Sequence, residues 1–92
     1  MKRLEEKEVS ERLKALRDWN QDEGTIVKQY KFLNFRKAIK FVNMVAEVAE
    51  ELEHHPTIFI NYNRVTLTLT THSQGGLTER DFRTAALIDT FL

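Results

Sequence analysis

The sequence predicts a single α+β domain with its elements in the order α-β-α-β-β-α. Three observations carry that reading. The chain has 92 residues, one domain's worth with no room for two. Across residues 35–52 the side chains Phe35, Ala38, Ile39, Val42, Val45, Ala46, Ala49 and Leu52 fall on one stripe, the spacing of a helix lying on a core. Residues 57–62 and 65–70 instead alternate, with a turn signal between them, which is the pattern of a hairpin.

Taken in order, residues 1–8 are charged and are expected to fray. Val9, Leu13 and Leu16 recur at helical spacing and predict a short first helix over 9–16, with Ser10 as its cap. A turn-rich stretch follows, with Gly24 near its end; a short additional strand would fit within 18–24. Residues 25–32 alternate and are rich in β-branched and aromatic types, predicting a strand. Asn34 is a good N-cap for the long helix 35–52, and Pro56 blocks any continuation. In the hairpin, Ile58, Ile60 and Tyr62 share one face of the first strand, and Val65, Leu67 and Leu69 one face of the second. Asn63 and Arg64 are the expected turn residues, because Asn tolerates positive φ. The stretch Ser73-Gln74-Gly75-Gly76 reads as a loop. Thr78 then caps the last helix, with Asp81 three residues on in a capping-box arrangement, followed by Phe82, Ala85, Ala86 and Ile88 near one face.

Composition narrows the function. Lys and Arg total 14 and Asp and Glu total 14, so net charge argues neither for nucleic acid nor for an anionic membrane. No apolar run approaches the roughly 20 residues of a membrane span, and the charged N-terminus lacks a signal-like apolar core, so we expect a soluble cytoplasmic protein. With no cysteine there is no disulfide, thiolate ligand or thiol nucleophile. A domain of this size buries only roughly two-thirds of its unfolded surface, and a narrow sheet leaves an open edge, so self-association is expected.

The chain's 3 histidines all lie between residues 54 and 72. With Asn63 and Arg64 as turn residues, Tyr62 faces Val65 and paired numbers sum to 127, which sets His55 opposite His72. His54 sits at the end of the long helix, Glu50 one helical turn before it, and Asp81 at the start of the last helix. Imidazole has a reference pKa of about 6.5 and exchanges protons near neutrality, and a carboxylate fixes its tautomer. These are the requirements of general acid–base chemistry. The competing structural readings are plain: a solvated helix end for His54 and His55, helix capping for Thr78 and Asp81, a solvated acidic stretch for Glu50, Glu51 and Glu53, the polar face of a strand for the threonine run 66–71, and core or rim packing for Trp19 and Tyr62. Three histidines suggest zinc, but adjacent histidines are not a usual ligand spacing, and no metal is expected.

The pattern E-x-x-x-H-H-P, then Tyr62, His72 and Asp81 at intervals of 6, 10 and 9 residues, resembles the signature of the pterin-4a-carbinolamine dehydratase family. The segments YNRVTLTLTTH, GGLTERD, IVKQYKF and NFRKAIKFVNMVAEVAEELEHHP are similar to family segments as well, so the likeness runs from about residue 10 to the end. The resemblance implies an antiparallel sheet of three to four strands with helices packed on one face. It implies loss of water from a 4a-hydroxytetrahydropterin to give the quinonoid dihydropterin, a step that recycles the pterin cofactor of aromatic amino acid hydroxylases. It implies no cofactor and no metal, a small-molecule pterin as partner, no direct nucleic acid or membrane contact, and a homodimer or homotetramer. In this reading His54 and His72 are the acid–base pair and His55 binds and orients the pterin. Glu50, Asp81, Thr70, Thr71 and Ser73 are expected to bind or orient substrate. Many family members carry Trp two residues after the Pro; here that residue is Ile58, which by parity joins Ile60 and Tyr62 as core or interface. The alternative is a non-catalytic protein-interaction module on the same fold, since animal members bind a homeodomain transcription factor and promote its dimerisation.

Overall fold

A computed structural model describes residues 1–92. The elements are α1 (Glu6–Lys14), β1 (Asn20–Asp22), β2 (Thr25–Lys31), α2 (Phe35–Leu52), β3 (Thr57–Asn61), β4 (Arg64–Leu69), a 3₁₀ turn (His72–Gln74) and α3 (Glu79–Asp89). The order is therefore α-β-β-α-β-β-α. The short strand that fits within 18–24 exists as β1 and completes a four-stranded antiparallel sheet in the order β1-β2-β4-β3.

Alternation in the strands selects the buried face. Ile26 and Tyr30 on β2 and Val65, Leu67 and Leu69 on β4 are buried, and Ile58 and Ile60 on β3 pack against them. Helix α2 supplies Ala38, Phe41, Val45 and Val48 to this core, and α3 supplies Phe82, Ala85 and Ile88. Phe41 and Val48 lie outside the expected stripe of α2, whereas Phe35 and Ala46 within it are exposed, so the buried face is rotated from the one expected. Burying each large apolar side chain is worth about 1.5–3 kcal/mol, which is what holds helices on this face of the sheet. No helix is long and apolar enough to cross a membrane.

The hairpin departs from the expected register. Ile60 pairs with Val65 and Asn61 with Arg64, so Tyr62 and Asn63 form the turn. Tyr62 takes the left-handed conformation at φ 54°. Asn63 is occupied elsewhere: its amide donates to the Phe32 carbonyl at 2.8 Å, and its carbonyl accepts from the Phe32 N–H at 2.8 Å. The non-local anchor at the end of β2 thus outranks local turn preference. The slip is two residues, so every side chain keeps its face while its partner across the ladder changes. Pairing ends at Thr57↔Thr68, and His55 does not oppose His72.

The N-terminal segment also differs from expectation. Helix α1 starts at Glu6, inside the segment expected to fray, and its cap is Glu5 rather than Ser10. Glu8 Oε1 accepts from the Glu5 N–H at 2.9 Å. The cause is again long-range. The Leu4 N–H donates to the Leu77 carbonyl at 2.8 Å, Val9 is buried, and Arg12 pairs with Glu79. Arg3 lies so close over Gly76 that a Cβ there would meet its Cδ at 2.9 Å.

A partly buried polar cluster closes the end of the domain where α3 terminates. Asp89 accepts from Trp19 Nε1 at 2.9 Å, Lys28 Nζ at 3.1 Å and the Tyr30 hydroxyl at 2.7 Å. Burial, reinforced by the hydrogen bond to Asp89 and that residue's negative charge, holds the Tyr30 hydroxyl well above the usual phenol range.

Candidate active site

The site begins with how α2 ends. Asn34 Oδ1 caps the start of the helix by accepting from the Lys37 N–H at 2.9 Å. At the other end Glu53 enters the left-handed region at φ 50°. The Glu53 N–H then donates to the Glu50 carbonyl at 3.3 Å and the His54 N–H to the Ala49 carbonyl at 3.0 Å. This pair of bonds is the Schellman closure, and it reverses the chain. His54 consequently turns inward and is 8% exposed, whereas His55 faces out.

The first turn of α3 supplies the partner. Thr78 and Asp81 form the expected capping box, with the Thr78 N–H donating to Asp81 Oδ2 at 3.0 Å. That reach back toward Thr78 leaves the second carboxylate oxygen free, and Asp81 Oδ1 lies 2.5 Å from His54 Nε2. Asp81 is fully buried, and Oδ2 also accepts from the Thr71 hydroxyl at 2.8 Å. A carboxylate is an acceptor only, so Nε2 of His54 carries the shared hydrogen and Nδ1 is the nitrogen left for chemistry. A charge-assisted bond of this kind fixes both the tautomer and the ring plane.

The other expected residues separate into different environments. His55 Nε2 lies 2.6 Å from Glu50 Oε2, but the two side chains are 61% and 76% exposed. Glu50 therefore serves His55 and not His54, because the reversal at Glu53 carries His54 away from the outer face of α2. His72 opens the 3₁₀ turn and is exposed, as is Ser73. The Thr70 hydroxyl is used structurally, donating to the Gly24 carbonyl at 2.6 Å and tying the end of β4 to the β1–β2 turn. Thr71 is buried against Asp81 and Thr78. Five surface cavities of about 250–600 Å³ have no histidine in their linings. The arrangement is thus one buried imidazole–carboxylate pair with two exposed imidazoles nearby in sequence. The participation of Thr78 beyond capping has no mark of its own in the sequence; only the T-x-x-D spacing points there.

An imidazole held against a buried carboxylate is an arrangement suited to proton transfer. Comparison with known proteins specifies the kind. Residues 2–91 match the family model described as Pterin 4 alpha carbinolamine dehydratase. A relative from Chloroflexus aurantiacus is 52% identical over 97% of this chain and 96% of its own length. Another from Metallosphaera sedula is 45% identical over 97% of this chain and 93% of its own. Among solved structures, a transcriptional coactivator/pterin dehydratase from Brucella melitensis superposes with a TM-score of 0.92 at 41% identity, covering 96% of both chains. A pterin dehydratase-like protein identified as a RuBisCO assembly factor in the alpha-carboxysome gives a TM-score of 0.68 at 25% identity, covering 80% of this chain and 88% of that one. The chain belongs to the pterin-4a-carbinolamine dehydratase family.

Proposed function

We infer that this chain removes water from a 4a-hydroxytetrahydropterin to give the quinonoid dihydropterin, as a hydro-lyase. Family membership across residues 2–91 supports the reaction. The observation that carries the mechanism is His54 Nε2 at 2.5 Å from the buried Asp81. The substrate holds a hydroxyl and a nitrogen on one carbon, C4a. Nitrogen lone-pair density expels the oxygen once that oxygen is protonated, and a base removes a proton from the ring system. One proton is delivered and one withdrawn, so the sum is loss of water. His54 withdraws the ring proton at Nδ1, because Nε2 is committed to Asp81, and the carboxylate stabilises the imidazolium that results. His72, exposed and in exchange with solvent, donates to the departing hydroxyl. His55, steadied by Glu50, lies against the pterin. Acid–base assistance of this type contributes about 10²–10⁴-fold. The test is dehydration of synthetic 4a-hydroxytetrahydropterin followed in stopped flow. Saturable acceleration by the purified protein is expected, and a rate equal to buffer alone contradicts the reading.

The chain also associates with itself. Strand β3 is an open edge of the sheet and carries Phe59, which is 61% exposed. The outer stripe of α2 reads Lys37, Lys40, Met44, Glu47 and Glu51, all exposed. Two such helices laid antiparallel about a twofold axis at Met44 bring Lys37 and Lys40 of one copy against Glu51 and Glu47 of the other. Met44, Val48, Leu87 and Phe91 line a cavity of about 420 Å³ beside that stripe and supply apolar surface to cover. Charge sets the orientation and apolar burial supplies the affinity.

A further inference from the structure

We propose that Thr71 is a positioning residue of the site, oriented by Thr78, and that its hydroxyl sets the Asp81 carboxylate in the plane that His54 requires. The proposal rests on the reading of His54 as the proton-transfer residue. Thr71 and Thr78 are 6% and 0% exposed, so neither hydroxyl reaches substrate from solvent. Their hydrogens have one consistent direction. Asp81 Oδ2 only accepts, so Thr71 Oγ1, 2.8 Å away, donates to it. Thr78 Oγ1 lies 2.9 Å from Thr71 Oγ1 and accepts the Arg80 N–H at 3.3 Å, so its own hydrogen points to Thr71. Thr78 donates to Thr71 and Thr71 to Asp81 Oδ2, while His54 donates to Asp81 Oδ1 from the other side, and no buried side-chain polar atom is left without a partner.

Oδ2 therefore has two fixed donors, the Thr71 hydroxyl and the Thr78 N–H, from two different chain segments. Two donors on one oxygen define the carboxylate plane, and that leaves Oδ1 with one direction to face. The loop between the donors is itself clamped. Thr71 and Gly76 exchange backbone hydrogen bonds at 3.1 and 3.4 Å, and Gly75 turns the chain at φ 72°. The threonine hydroxyl is thus rigidly mounted, as a group that orients another must be.

The test compares Thr71→Val and Thr71→Ser by two measurements. The first is steady-state dehydration. Thr71→Val is expected to lower kcat about tenfold with KM within twofold of wild type, the effect of losing one hydrogen bond to a charged group. Thr71→Ser, which keeps the hydroxyl, is expected to recover most of the rate. The second is the proton NMR signal of His54 Nε2–H, which a short bond to a carboxylate moves far downfield. It is expected to persist in Thr71→Ser and to move upfield or vanish in Thr71→Val. Wild-type kcat with an unmoved signal in Thr71→Val overturns the proposal. So does a rise in KM at constant kcat, which makes Thr71 a substrate contact. Should Thr71→Val fail to fold, Thr71→Ala takes its place under the same two readouts. Should wild-type protein prove inactive, the dehydratase reading falls by itself, and the NMR signal alone decides whether Thr71 orients Asp81.

Discussion

His54 and Asp81, 27 residues apart in sequence, meet with Nε2 and Oδ1 2.5 Å apart inside a shell that leaves Asp81 no contact with water. Each arrives there by the way its own helix is terminated. The left-handed residue Glu53 ends α2 and turns His54 inward. The capping box of α3 bends Asp81 back over its own N-terminus. Two local termination motifs, each with an ordinary structural purpose, thereby bring together the pair to which we assign the proton transfer.

Asp81→Asn is nearly isosteric but removes the charge that three donors address. We expect unfolding free energy to fall by about 1–3 kcal/mol in urea titration, and kcat to fall by at least tenfold. A variant as stable and as fast as wild type would show that the carboxylate's charge is idle.

Glu53 at φ 50° is a non-glycine residue in a conformation glycine adopts without strain. Relief of that strain, about 1–2 kcal/mol, outweighs the added unfolded-state entropy of glycine. Glu53→Gly should therefore raise stability by about 0.5–1 kcal/mol in thermal unfolding, with dehydration unchanged because the chain reversal is retained.

These two positions illustrate what is legible in the sequence. The span of α2, its Asn34 cap and the Thr78–Asp81 box are all local, and they are readable from apolar spacing and capping chemistry. So is the buried face of each hairpin strand, because a two-residue slip preserves parity. The slip itself is not readable, since Asn63 is held by Phe32, 31 residues away. The start of α1 is hidden for the same reason, being fixed by Leu77 and Glu79. Glutamate carries no mark of a left-handed residue, so nothing in the sequence distinguishes the inward His54 from the outward His55, and helical spacing alone matches Glu50 to the wrong ring.

The Tyr30 hydroxyl stays protonated far into alkali because burial and Asp89 oppose its ionisation. In the unfolded chain it ionises near pH 10, so there the unfolded state holds fewer protons than the native state and stability declines as pH rises further. In Tyr62→Phe protein Tyr30 is the only tyrosine. Its phenolate absorbance should then appear together with loss of helical circular dichroism. A phenolate transition that precedes unfolding would contradict the burial of Tyr30 against Asp89.

Self-association through α2 predicts a charge-swap pattern. Lys40→Glu alone should shift the protein to a smaller species in size-exclusion chromatography with light scattering, by setting like charges in apposition. Lys40→Glu combined with Glu47→Lys should restore the larger species. An unchanged mass in the single variant would place the contact elsewhere, with the β3 edge the next surface to examine.

The most direct test of the central claim is the single-turnover rate of dehydration by His54→Gln. Its side-chain amide can still donate to Asp81, so the buried carboxylate keeps a partner, but it cannot exchange a proton with the pterin. We predict a melting temperature close to wild type and a rate lower by about 10²–10⁴-fold. A folded His54→Gln protein that turns over at the wild-type rate would remove His54, and with it the Asp81 pairing, from the chemistry.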